Sequence, residues 1–352
     1  MKIKLAILDP CKKKLNRIVT AFSNKYDDKL EVYSFTDLNV ALQNIRKNRI
    51  RVFLADRSYG IDNSGMDYCG FAYLSETKSN QDGEGARSIC IFDKTEDIYK
   101  QILDIYMSVG GEWGYRHDGD GSSRMIAFCS AGGGVGASSL AAACAVRCAS
   151  RHKRTLYLNL EKLGDPGLFF DAQGEHTMSD VIYALKGKKN TLNMKLASTV
   201  RHASNGVYFY AAPRVALDMI ELSNDEVMKL LEELKKHCEY DYIILDIDFS
   251  LDDGTIQMFR ETDIVVMVTD GTENSNRKTE LAYRAMAELE QSRELYLTER
   301  LCLLYNRGNS RTARELNLSE LRLLGKYPTI ANADTKQVVQ TLAQSDIFDQ
   351  IL

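Results

Sequence analysis

The stretch FCSAGGGVGASSLAAACA, Phe128 to Ala145, decides how the larger part of this chain is read. An apolar strand-like run, MIAFCS (125–130), leads into Gly132, Gly133, Gly134, Val135 and Gly136. Ala137, Ser138 and Ser139 then open an alanine-rich segment whose spacing predicts a helix over 138–153. Strand, glycine run and helix in that order build a cup of backbone N–H groups at the positive end of a helix dipole, which favours anions. Glycine suits such a loop because its backbone takes positive φ angles and lets a ligand approach the main chain closely. No lysine occurs anywhere in the stretch, so the main chain and two hydroxyls carry whatever binding there is.

Working outward, the 352 residues are enough for two domains. A hydrophobic fraction of 44% with 27% charged residues describes ordinary packed cores. The net charge of −4 gives no electrostatic reason to expect a nucleic-acid partner. The N-terminal MKIKLAILDP has too short an apolar run for a signal peptide, and no run approaches the ~20 residues of a membrane helix. Eight cysteines without a Cys-x-x-Cys pair, most of them in apolar stretches, are expected as buried free thiols in a reducing cytoplasm. The glycine-rich SVGGEWGYRHDGDGSSR, 108–124, which holds the only tryptophan, Trp113, reads as a linker. It divides a domain at 1–107 from one at 125–352.

Downstream of the glycine loop, apolar strands end in polar residues on one edge. TLYLN precedes Glu161, and YIILD ends in Asp246 with Asp248 two residues on. Two more, DIVVMVTD and RLCLLYN, end near Asp270 and at Asn306, which Arg307 follows. Upstream of the linker, IKLAIL, LEVYSF, IRVFLAD, GFAYLS and SICIFD alternate with helical spacing in 12–26, 37–48 and 95–107. Continuous apolar strands between helices mean a parallel sheet covered on both faces. Five such strands suggest a flavodoxin-like order with a site at their carboxyl ends, where Asp9, Asp56, Ser75 and Lys94 fall.

These residues carry two resemblances. The first domain resembles the receiver domain of bacterial response regulators. That likeness implies magnesium at the acid after the first strand (Asp9), phosphorylation of Asp56, and phosphoryl contacts from Ser75 and Lys94. Receivers carry two adjacent acids where this chain has Asp9 and then Pro10, so magnesium binding should be weak. The domain is accordingly expected to be an atypical receiver used for docking. The second domain resembles P-loop ATPases of the MinD/ParA group, whose loop reads K-G-G-V-G-K-T-T. Here Gly132 replaces the signature lysine and Ala137 the second one.

The MinD/ParA likeness implies ATP and Mg²⁺ as ligands, held by Gly133, Gly134, Val135, Gly136, Ala137, Ser138 and Ser139. Ser138 and, through water, Asp246 would hold the metal. Asn306 would read adenine with Arg307 beside it. Asn159 and Glu161 stand where the group has an Asp-x-Asp, so Glu161 and Asp246 are the only catalytic candidates and hydrolysis is expected to be weak or absent. A receiver-like domain fused to a MinD/ParA-type domain with a degenerate loop resembles the TadZ/CpaE family. That resemblance implies a Tad (Flp-type) pilus assembly protein, an ATP-dependent homodimer that recruits other assembly proteins. Its place would be the cytoplasm, drawn to a pole or to the inner face of the membrane by protein partners. The C-terminal TLAQSDIFDQIL lacks the basic amphipathic pattern of a membrane-lying helix. The alternatives are a slow MinD-like regulatory ATPase and a signalling protein controlled by phosphorylation of its receiver.

Overall fold

The structure is a computed structural model that describes residues 2–27, 29–61, 69–76, 87–109, 123–187, 192–237, 240–293, 295–309, 312–316, 318 and 321–352. Residues 110–122 of the expected linker, Trp113 included, lie outside the described residues. The chain divides into two compact units. Unit 1 is Met1–Arg116 with Lys188–Ser198, and unit 2 is His117–Gly187 with Thr199–Leu352.

Unit 1 runs β1 (Ile3–Leu8), α1 (Lys12–Tyr26), β2 (Leu30–Phe35), α2 (Leu38–Lys47), β3 (Val52–Asp56), β4 (Gly70–Ser75), β5 (Ser88–Cys90) and α3 (Thr95–Ser108). The sheet order is β2-β1-β3-β4-β5 with every pair parallel, the flavodoxin-like arrangement expected from the alternating pattern. β1 shows why its sequence is apolar without a break. Ile3, Leu5 and Ile7 pack with Phe22, Tyr26 and Ile102 on one face, while Ala6 and Leu8 pack with Ala41, Ile45 and Phe53 on the other. Asp37 caps α2 by accepting the Val40 N–H at 2.9 Å.

Unit 2 begins with β6 (Arg124–Cys129), α4 (Ala137–Ser150), β7 (Thr155–Asn159) and α5 (Met178–Lys186). The next helix, α6 (Leu192–Thr199), belongs to unit 1 over all but its last residue. Its Met194, 1% exposed, lies in the same apolar cluster as Ile98 and Ile102 of α3, and Lys195 pairs with Asp104 at 3.6 Å. Unit 2 resumes with β8 (Arg201–His202), β9 (Val207–Phe209), α7 (Leu217–Ile220), α8 (Asn224–His237) and β10 (Tyr242–Asp246). It ends with α9 (Asp253–Glu261), β11 (Ile264–Thr269), α10 (Glu273–Arg293), β12 (Leu301–Tyr305), β13 (Arg322–Lys326) and α11 (Thr335–Ala343).

Its sheet order is β13-β12-β11-β6-β10-β7-β9-β8. The pairs are parallel except β8 with β9, so the expected parallel sheet closes on an antiparallel edge. β6 lies between β11 and β10, and the glycine loop therefore leaves the middle of the sheet. α4 buries Leu140 to Val146 and Cys148; its small side chains let the helix lie close against Phe128, Tyr157 and Ile244. The C-terminal 3-10 turn Asp346–Gln350 is tied to the same helix. Asp349 accepts from Arg147 at 3.0 and 2.8 Å and also pairs with Arg151, while Phe348 is fully buried beside Phe128. Among the described cysteines Cys69, Cys90, Cys129, Cys144, Cys148 and Cys302 are buried free thiols, as expected, and Cys11 is exposed.

Candidate functional site

The candidate nucleotide site lies at the carboxyl ends of β6, β7, β10 and β12. The loop takes the conformation that its glycines allow: Gly133, Gly134 and Gly136 have φ of 64°, 67° and 90°. A Cβ on Gly133 or Gly134 would meet no atom within 4 Å, so that flank of the loop is open. Gly136 is the N-cap of α4 and no side chain caps that helix, which leaves the N–H groups of its first turn for a ligand. Val135 is buried, whereas Ala137, Ser138 and Ser139 are half-buried.

Behind the loop lies a connected polar network. The Ser138 hydroxyl donates to Glu161 Oε1 at 3.2 Å. The Asn159 amide donates to Glu161 Oε2 at 3.3 Å and to Asp246 Oδ2 at 2.8 Å. Tyr157 donates to the same Asp246 oxygen at 2.6 Å. Asp246 itself is fully buried. Burial, and then the nearby Glu161 charge, push its carboxyl up to about 7, against the pull of the Tyr157 and Asn159 hydrogen bonds. Its other oxygen, Oδ1, is buried without a hydrogen-bond partner.

An orphaned carboxylate oxygen of this kind fits a cation and its water shell. The residues present therefore fit magnesium. Ser138 and Asp246 would hold it, and the remaining ligands would be water and phosphate oxygens, the donor set that magnesium prefers. Bound there, the ion would neutralise phosphate charge. It would also offset the repulsion between the Asp246 and Glu161 carboxyls.

Asn306 is 6% exposed, and its amide donates to the Val135 carbonyl at 2.7 Å. It thus braces the loop from below. Arg307 is exposed with a positive φ of 55°. Three features escaped the sequence reading. Tyr157 is the partner of Asp246, Asn159 bridges the two acids Glu161 and Asp246, and Ser275 packs behind Gly132. A Cβ on Gly132 would lie 2.9 Å from Ser275 Oγ, which is bound to Thr269 Oγ1 at 2.8 Å. Asp248, expected only as a strand-end acid, accepts the Lys162 N–H at 3.0 Å.

In unit 1 the register sets Leu8 beside Ala55 and Asp56 beside Leu74, which brings Asp9, Asp56 and Ser75 to one sheet edge. Asp9 is buried and accepts the Cys11 N–H at 2.7 Å. Asp56 Oδ1 accepts the Ser58 N–H at 3.0 Å and its hydroxyl at 2.6 Å, capping the 3-10 turn Arg57–Tyr59. Burial raises the Asp56 carboxyl, but Ser58 and the Lys14 charge outweigh it and hold the group below its ordinary value. Lys94 is exposed on the loop before α3.

A family model described as the TadZ-like receiver domain matches residues 1–107. No curated protein sequence matches the chain. Among solved structures, the chain is similar to a ParA family ATPase from Chlorobium tepidum TLS, at 19% identity and a TM-score of 0.51, over 65% of this chain and 96% of that one. The cell division ATPase MinD of Pyrococcus furiosus is 14% identical, with a TM-score of 0.49 over 65% of this chain and all of that one. MinD of Pyrococcus horikoshii, solved with Mg-ADP, is 16% identical with a TM-score of 0.47, over 63% of this chain and 95% of that one. The share covered in the Chlorobium match exceeds the whole of unit 1, so the match draws on unit 2 and shows its fold. Residues 1–107 thus carry a TadZ-like receiver domain and unit 2 has the fold of a ParA-type ATPase, the combination expected from the sequence.

Proposed function

We propose that this chain is a Tad (Flp-type) pilus assembly and localisation protein that binds ATP-Mg as a dimerising ligand and hydrolyses it slowly or not at all. The observation that carries the reading is the uncapped first turn of α4 behind three positive-φ glycines, with the orphaned Asp246 oxygen beneath. Main-chain N–H groups and the helix dipole hold the phosphates, and Ser138 with Asp246 holds the metal. The absent lysines would each have contributed about 1.5–3 kcal/mol as charged hydrogen-bond donors, so affinity is reduced but not abolished.

Hydrolysis needs more than affinity. Losing one donor to the transferring phosphoryl group costs roughly 10²–10³ in rate. Asn159 and Glu161, which stand where the MinD/ParA group has its Asp-x-Asp, are bonded to Asp246 and Ser138. ATP then serves as a structural ligand: bound between two copies, it stabilises the dimer by linkage. The receiver-like unit recruits other assembly proteins, and these place the complex at a pole or at the inner face of the membrane. No helix among the described residues is long and apolar enough to cross a membrane.

Calorimetry with ATP-Mg, light scattering and phosphate release on the full chain test this together. Micromolar binding, a mass that doubles with ATP and negligible phosphate are expected. Turnover at ordinary ATPase rates would favour the regulatory ATPase, and no binding at millimolar ATP would overturn the nucleotide reading.

A further inference from the structure

A receiver-like fold implies a divalent cation at the carboxyl ends of its strands, and with Lys14 in place the side chains that unit 1 sets there do not fit one. Such an ion needs carboxylate oxygens free to take it, with water completing its shell. Here Pro10 follows the single acid Asp9, which is 1% exposed and already accepts a backbone N–H. Asp56 is turned to Ser58, with two hydrogen bonds on one oxygen. The same rim carries a third acid, Glu76, directly after β4. Three carboxylates rising from the neighbouring strands β1, β3 and β4 would repel one another without a positive charge among them.

That charge comes from α1. Lys14, in its first turn, bonds Glu76 Oε1 at 2.5 Å, joining the start of α1 to the end of β4. We propose that the Lys14 ammonium, bonded to Glu76 on the rim that also carries Asp9 and Asp56, is a resident counter-ion in place of the divalent cation, so that unit 1 keeps its receiver-like shape without metal. The titration of the group agrees. The Glu76 bond first, opposed by slight burial and assisted by the charges of Glu76, Asp9 and Asp56, holds Lys14 above the ordinary lysine value. A lysine side chain delivers one charge as a tethered point, with three donors and no demand for an oxygen cage. This inference concerns unit 1 alone and stands apart from the nucleotide reading.

Bound Mn²⁺, counted by electron paramagnetic resonance on the nucleotide-free full chain, tests it. The variants are Lys14→Met, Lys14→Arg, Asp56→Asn and the double variant Lys14→Met/Asp56→Asn. Metal held in unit 2 is common to all of them and cancels. Wild type, Lys14→Arg and Asp56→Asn should bind the same amount. Lys14→Met should gain one equivalent at millimolar Mn²⁺, and the double variant should lose it. Lys14→Gln replaces Lys14→Met if circular dichroism shows the latter unfolded. A wild-type equivalent that Asp56→Asn removes, or a folded lysine-free variant that gains no Asp56-dependent ion, would overturn the proposal.

Discussion

At Gly132 the chain has closed the space that a signature lysine would need. Ser275 Oγ stands 2.9 Å from where a Cβ would begin, fixed there by Thr269. Restoring the residue is therefore not a repair: Gly132→Lys should lower thermal stability and leave phosphate release near its starting rate. Adding Ser275→Gly should recover the stability, which a melting series of the two variants checks. Gly136→Ala is expected to be harsher, because it combines a φ of 90° with a Cβ 2.4 Å from the Asn306 amide. ATP affinity should fall at least tenfold in calorimetry.

Asp246 makes a prediction about pH in the metal-free chain. Its carboxyl titrates near 7 when folded, well above the unfolded value of about 4. Between those values the folded state binds the extra proton, so stability falls as pH rises from about 4 towards 7 and is then level. Asp246→Asn should flatten that slope in a series of melts from pH 5 to 8. The acid at this strand end was legible in the sequence, because an apolar strand running into Asp is a local pattern. Its partner Tyr157 was not, since Tyr157 lies inside an apolar run that reads as plain core and becomes polar machinery only when β7 is set beside β10. Asn306 is a similar case: the position was found, while its bond to Val135, far away in sequence, depends on the closed sheet.

Among the elements, α4 joins the glycine loop at one end to the C-terminal turn at the other. Asp349 grips Arg147 through two oxygens and Arg151 through one, with all three side chains partly open to solvent. Asp349→Ala should cost about 1 kcal/mol, since exposed ion pairs contribute little and the bidentate geometry adds to that. The sign with pH is opposite to that of Asp246. The Arg147 hydrogen bond, against slight burial, holds the Asp349 carboxyl below its ordinary value. The contribution is therefore complete above about pH 4 and is lost as the pH falls through the lowered value. The strands and helices themselves were the most legible part of the molecule, because unbroken apolar runs and 3.6-residue spacing are local properties. The antiparallel edge formed by β8 and β9, with two and three residues, is too short to leave such a trace.

For the molecule as a whole, the order of strands in unit 1 followed from the alternating pattern, yet the limits of that unit did not. α6 lies some ninety residues beyond α3 in sequence, and nothing in LNMKLAST marks it as part of the first domain. Its Met194 is buried with the core of the first 106 residues. Met194→Asp should accordingly destabilise unit 1 by about 2–5 kcal/mol through a lost apolar contact and a buried charge. Hydrogen exchange that rises in β1 and α3 while β6 and β10 stay protected would show this.

Because α6 is supplied from beyond residue 187, a single cut within 110–122 would not yield two self-sufficient pieces. The N-terminal fragment would lack a helix of its own core, and the C-terminal fragment would carry that helix without its seat. The nicked halves should stay together through a gel-filtration column and separate only in denaturant. Mixed after refolding, they should behave as a complementing pair, with the short helix as the plug and the five-stranded sheet with its helices as the socket.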